Sequence, residues 1–306
     1  MKVVRSTTCG SSANLGSGFD SFGIALDAIR TYVTIRDTEY ENNEIHETVS
    51  RQFNYDTSTL PGFLADEMCK SVNHGEKYSI DIQSNVPVGR GLGSSGAVSV
   101  GVVAAMSKFL GLNLTDEAII STAMNGEEFA CGSRHGDNVT ASVKGGFTIL
   151  HSTDPIVTSS VKPKTELKFM IIIPEITEEN KTKFNRSLIP ERISFKDSVS
   201  NTHFANAFAM GVQTGRRELL SLGMNDNIVE KARAQKYSFL YDIKSICLSY
   251  GAIGAVLSGA GPSMLALIDN QTEMSNLKKD LNSYFSSIHL KYDLIYSGIG
   301  EGVKVE

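Results

Sequence analysis

The sequence has no apolar run approaching the length of a membrane-spanning helix, no long basic run and no closely paired cysteines. The first lack excludes a helical membrane span, which needs about 20 mostly apolar residues. The second, together with a net charge of only −5, removes the electrostatic footprint by which nucleic-acid binders hold phosphate backbones. Neither a membrane nor a nucleic acid is therefore expected as a partner. Cys9, Cys69, Cys131 and Cys247 are scattered without a C-x-x-C pair, which argues against a disulfide framework and against a thiolate zinc site. The stretch MKVVRSTTCGSSANLGSGFD has no apolar segment after its basic residues, so a cytoplasmic chain is expected.

The 306 residues, 41% of them apolar, suffice for one large domain or two moderate ones. In the first half KVVRSTT, IRTYVTIRD, KYSIDIQSNVP and NVTASVKGGFTILHS read as strands separated by Gly and Ser turns. Two helices fall between the third and the fourth. One begins in the Gly/Ser stretch before Ala97, and its apolar residues occupy nearly every face, the pattern of a helix buried on several sides. The other opens with Thr115 as N-cap, has Asp116 and Glu117 in its first turn, and runs towards Cys131. The polar stretch STDPIVTSSVKPKTE suggests a boundary between residues 1–157 and 158–306. Beyond it come the buried-strand signature KFMIIIP and helical material from about Glu179 to Tyr250. AIGAVLSGAG, SMLALID, a helix over MSNLKKDLNSYFSSI and DLIYSGI follow. This alternation predicts an α+β sandwich of the ferredoxin-like kind.

The most informative segment is Pro87-Val88-Gly89-Arg90-Gly91-Leu92-Gly93-Ser94-Ser95-Gly96-Ala97, which follows a strand and opens the buried helix. Its glycines let the backbone approach a ligand, and the helix start offers free N–H groups to an anion. The segment reads as a phosphate cradle. Gly91, Gly93 and Gly96 satisfy G-x-G-x-x-G, but the dinucleotide form needs an acidic residue at the end of the next strand, and Asp116 and Glu117 lie at a helix start instead. A Walker loop requires a lysine that is missing here.

The form P-x-x-x-G-L-G-S-S resembles the nucleotide-binding motif of the GHMP kinases. Two further stretches resemble motifs of the same family in the same order: Ser11-Ser-Ala-Asn-Leu-Gly-Ser-Gly-Phe-Asp20 near the amino terminus and Ser258-Gly-Ala-Gly-Pro-Ser263 near the carboxy terminus. Between them Glu127, His135, Asp137-Asn138-Val139 and Gly145-Gly146 match the spacing of the family branch that phosphorylates L-homoserine. Glu128 and Cys131 stand where that branch has glycine and serine. Thr182-Lys-Phe-Asn-Arg186 and Arg233 resemble its remaining substrate positions.

The resemblance implies a two-domain GHMP kinase fold: an ATP-binding domain like domain 2 of ribosomal protein S5, followed by a ferredoxin-like α/β sandwich. It implies ATP and Mg²⁺, the nucleotide phosphates resting on residues 87–97 with Gly259 and Gly261 alongside. Glu127 and Ser94 would hold the metal. The implied substrate is L-homoserine, its carboxylate on Arg186 and Arg233, its ammonium on Asp20, and its hydroxyl end oriented by Asn14 and Asn138, with His135 and Thr182 nearby. Asn138, Ser94 and Glu127 would carry catalysis without a dedicated carboxylate base. A homodimer is also implied. Mevalonate or shikimate is the alternative acceptor, and such a substrate would strand the charges of an amino-acid clamp.

Overall fold

The structure is a computed structural model and describes residues 2–37, 44–49, 59–75, 77–176 and 185–306. Strand β1 (Val3–Asn14) turns through residues 15–17 into the long strand β2 (Gly18–Asp37), and the two pair antiparallel along most of their length. β2 then pairs with β4 (Tyr78–Ser84), and β4 in turn pairs parallel with β3 (Glu44–Val49). On its other portion β2 pairs with β5 (Phe147–Thr153), which forms a hairpin with β6 (Ile156–Val161). The last strand of the chain, β11 (Lys304–Val305), returns to the free edge of β1. These seven strands form one sheet.

Helix α2 (Ser94–Leu110) lies on this sheet and against α1 (Thr59–Ser71) and α3 (Asp116–Cys131). Of its residues 96–107 all are buried, as its all-round apolar sequence predicts. Thr115 caps α3 as expected, its side chain accepting from the Ala118 N–H at 3.3 Å. Asn138–Lys144, by contrast, is not the start of a strand. Asp137–Lys144 forms helix α4, with Val139, Thr140, Ala141, Ser142 and Val143 all buried. The alternation V-T-A-S-V mimics a period of two, but the segment is enclosed on every side, so alternation carries no facing information. Its Ser142 hydroxyl donates to the Cys9 carbonyl of β1 at 2.9 Å, a tertiary bond that overrides the weak preference of β-branched residues against helix.

The second sheet contains β7 (Lys168–Pro174), β8 (Gly254–Leu257), β9 (Met264–Ile268) and β10 (Tyr292–Ser297), in the spatial order β10-β7-β9-β8 and antiparallel throughout. With helices between β7 and β8 and between β9 and β10, this is the βαββαβ arrangement expected. The helical tract between β7 and β8 is broken: among the described residues it consists of α5 (Phe195–Thr214), α6 (Arg217–Gly223), α7 (Val229–Arg233) and α8 (Leu240–Ser249). Gly215, in the left-handed region at φ 73°, ends the first of these. The division at 157/158 falls inside β6, which belongs to the first sheet, and the chain crosses to the second sheet between Val161 and Lys168.

A shared apolar core joins the two sheets. Ile24, Leu26 and Phe147 from the first meet Phe169, Ile171, Val256 and Leu265 from the second in one cluster. Phe147 packs edge-on against Phe208 of α5, ring centroids 5.4 Å apart, and against Phe22 of β2 at 5.1 Å. Fully burying one such ring contributes about 1.5–3 kcal/mol. This junction places the loop after β4, the turn after β8 and the start of β2 beside one another.

Candidate active site

The loop after β4 enters helix α2 through left-handed backbone. Gly91 has φ 74° and Gly93 φ 67°. A Cβ on Gly91 would lie 2.2 Å from the Ser258 carbonyl oxygen and 2.8 Å from the Gly261 amide nitrogen, and one on Gly93 would lie 2.3 Å from Ser11 Oγ. Both positions therefore need glycine for conformation and for space. Gly93 is the N-cap of α2, with no side chain capping the first turn, so the N–H groups at that helix start remain for an anion. Pro87 and Arg90 are buried at the base of the loop, Val88 is half-buried and Gly89 is exposed at its tip.

The three segments singled out in the sequence meet here. The Ser11 N–H donates to the Leu92 carbonyl at 3.0 Å. The Ser258 hydroxyl reaches Ser12 Oγ at 2.8 Å and donates to the Gly91 carbonyl at 2.7 Å. The turn 258–263 is closed by the Gly261 N–H on the Ser258 carbonyl at 2.8 Å, and the Gly259 N–H reaches back to Ala13 at 3.2 Å. Gly259 and Gly261 thus serve as the wall behind the loop. Arg90 ties the loop to the second sheet: its guanidinium donates to the Ile176 carbonyl just beyond β7.

Glu127, near the end of α3, is 5% exposed, and its Oε1 has no hydrogen-bond partner. Burial pushes its carboxyl up to about 7, although a hydrogen bond from Ser95 and the charge of His135 act the other way. A buried carboxylate oxygen without a donor is costly, and that lone pair suits a hard divalent cation, which takes one or two carboxylates plus phosphate oxygens and water. Asp137, at the start of α4, is also buried and is pushed up to about 6 by burial and by the charge of Asp20. Its Oδ1 accepts from the Asn138 N–H at 2.8 Å. Asn138 Oδ1 accepts from the Ser11 hydroxyl at 2.9 Å, so the carboxamide is oriented next to Gly93.

A second cluster gathers charged side chains. Asp20 forms a forked ion pair with Arg186, at 2.8 and 3.3 Å, and lies 3.5 Å from His135 Nδ1. Burial pushes the Asp20 carboxyl up, but His135 and Arg186 outweigh it and hold it below its ordinary value. In return the hydrogen bond to Asp20 raises the His135 imidazole, against its burial. Arg233 is 5% exposed; its guanidinium donates to the Gly259 carbonyl at 2.7 Å, while Nε has no partner. The guanidinium groups of Arg186 and Arg233 both approach the ring of Phe19, at 5.4 and 5.6 Å. Asn14 spans the clusters, donating to the Gly259 carbonyl at 3.1 Å and accepting from the Asp20 N–H at 3.2 Å.

Every candidate named from the sequence thus lies on this junction except Thr182, which falls outside the described residues. Several participants were not singled out. Ser11 and Ser258 begin quoted motifs and Phe19 precedes Asp20, so local signal existed for them. Asn185 likewise precedes Arg186 inside the segment 182–186; it is fully buried, donating to the Tyr237 hydroxyl at 2.9 Å and the Ala260 carbonyl at 2.7 Å.

Residues 61–146 match the GHMP kinases N terminal domain and residues 209–287 the GHMP kinases C terminal domain. A homoserine kinase of Thermoplasma acidophilum is 35% identical, over 100% of this chain and 97% of the relative. The crystal structure of homoserine kinase from Cytophaga hutchinsonii superposes with a TM-score of 0.87 at 27% identity, covering 100% of this chain and 98% of that one. L. major mevalonate kinase in complex with R-mevalonate has a TM-score of 0.72 at 17% identity, covering 96% and 95%, a likeness of fold alone.

Proposed function

The chain belongs to the GHMP kinase family, and from that premise we propose that it phosphorylates the hydroxyl of L-homoserine with ATP. The hydroxyl oxygen bonds to the γ-phosphorus, the bond to the β,γ-bridging oxygen breaks, and the products are O-phospho-L-homoserine, ADP and the hydroxyl proton.

One observation carries the reading: the site holds a buried carboxylate oxygen without a donor, Glu127 Oε1, and a buried guanidinium nitrogen without an acceptor, Arg233 Nε. The first suits a cation and the second an anion. Residues 87–97 cradle the ATP phosphates through backbone N–H groups at the start of α2. Glu127, with the Ser94 hydroxyl, would hold Mg²⁺, which supplies charge neutralisation on the phosphate oxygens when bound. Arg233 and Arg186 take the substrate carboxylate through forked hydrogen bonds. Asp20 takes the ammonium, its carboxyl being held ionised by Arg186 and His135. Asn138, oriented by Ser11, positions the hydroxyl, so alignment rather than deprotonation by a carboxylate dominates catalysis.

A coupled ADP-release assay with Mg²⁺ over homoserine, mevalonate, shikimate and galactose tests this. Homoserine should be turned over at least about a hundredfold more efficiently than the others, because a substrate without both charges forgoes the Asp20 contact and leaves Arg233 Nε without an acceptor. Comparable turnover of mevalonate would overturn the assignment.

A further inference from the structure

Behind the substrate arginine lies an ion pair that the reaction itself does not use. Glu230 and Lys244 meet at 2.8 Å with side chains only 4% and 11% exposed. Removing such a pair from water costs about as much as its attraction returns, so a buried ion pair is weak grounds for stability and invites a positional explanation.

The geometry offers one. Glu230 and Arg233 stand three residues apart on the short helix α7, on one face. Glu230 Oε1 accepts from the Leu257 N–H at 2.9 Å, at the end of β8. The Arg233 guanidinium donates to the Gly259 carbonyl at 2.7 Å, two residues further along the same strand exit. The helix is therefore attached to the 257–259 segment at two points, which fixes its rotation as well as its distance. Lys244 on α8 holds the other Glu230 oxygen and donates to the Met224 carbonyl at 3.1 Å. Asp226 fixes the start of the helix, accepting from the N–H groups of Ile228, Val229 and Glu230 at 2.7–3.1 Å. This brace also backs the amino-terminal motif: a Cβ on Gly16 would lie 2.9 Å from the Gly223 carbonyl and 3.0 Å from that of Asn225.

We propose that Glu230, held by Lys244, is a positioning residue that sets the register of Arg233 against the Gly259 turn and thereby the affinity for the substrate carboxylate. The proposal rests on the functional reading above. It separates the two arginines: Arg186 sits on a half-exposed ion pair that the substrate rearranges, whereas Arg233 is fixed in advance by a buried frame.

The test is a double-mutant cycle in the full chain. The variant E230L/K244M removes both charges while keeping apolar volume, a replacement that buried pairs commonly tolerate. It should retain its fold by circular dichroism, raise the KM for homoserine about tenfold and change kcat less than about threefold. In an Arg233→Ala background the same pair of substitutions should add less than about twofold to KM, because the effect acts through Arg233. If the double variant does not fold, Glu230→Gln, which keeps an acceptor for Leu257, should raise KM about threefold with the same dependence on Arg233. An unchanged homoserine KM in the folded variant, or an equal rise with and without Arg233, overturns the proposal while leaving the functional reading intact. Absence of homoserine turnover in the wild-type chain overturns both.

Discussion

The two ends of the site are built from different materials. The end proposed to hold the nucleotide is backbone: left-handed glycines, a helix start without a side-chain cap, and a second glycine turn packed behind the first. The end proposed to hold the substrate is side chains, Asp20, His135, Arg186 and Arg233, drawn from segments far apart in sequence, with both arginines against Phe19. Backbone recognition suits a ligand part that never varies, because it leaves almost no freedom to drift. Side-chain recognition suits the acceptor, whose identity distinguishes one member of a fold family from another. Substitutions should accordingly fail in different ways at the two ends.

The largest effect is expected at the backbone. Gly91→Ala places a methyl group 2.2 Å from a carbonyl oxygen that belongs to another turn, and neither segment yields without moving the cradle. kcat/KM for ATP should fall on the order of 10³-fold in steady-state kinetics, as when aligned backbone donors to a developing charge are lost. Glu127→Gln should follow, lowering kcat on the order of 10²-fold while stabilising the chain at alkaline pH. The sign follows from burial, which raises this carboxyl from 4.5 to about 7 in the folded state. Its contribution to stability is thus complete below the unfolded value and lost as pH rises through about 7. Urea unfolding at pH 8 should show the Gln variant more stable than wild type by about 3 kcal/mol, and the difference should vanish near pH 4.

At the side-chain end the effects should be smaller and confined to the acceptor. Asp20→Asn removes one charge-assisted contact and should raise the KM for homoserine by about tenfold, leaving the KM for ATP within about twofold. An equal rise in both would erase the distinction between the two ends. The smallest effect on turnover is expected for Asp137→Asn, whose carboxyl is pushed up to about 6 by burial. kcat should stay within about threefold of wild type, since the proposal gives alignment of the hydroxyl to Asn138 and not to Asp137. A hundredfold loss in folded Asp137→Asn protein would make Asp137 the base.

This division also explains how much could be read from the sequence. A backbone cradle needs closely spaced glycines and a following helix, so residues 87–97 announced themselves without neighbours. The buried helix α2 was equally plain, since apolar residues on every face describe burial on every side. Segment 138–144 misled because it is enclosed on every side and its Ser142 hydroxyl bonds to β1, a partner that no local pattern displays. Arg186 and Arg233 were placed through family spacing, and nothing local distinguishes them from surface arginines. Glu230 and Lys244 were invisible, because their meaning lies wholly in contacts across the second sheet and its helices.

Calorimetric titration of ATP into the wild-type chain and into Glu127→Gln, each with and without Mg²⁺, probes the division of labour at the nucleotide end most directly. Both proteins should bind metal-free ATP alike, since the cradle is unchanged. Magnesium should tighten binding at least about tenfold in the wild type and hardly at all in the variant, as expected when the carboxylate that holds the metal is lost. Equal tightening in the two proteins would contradict the assignment of Glu127.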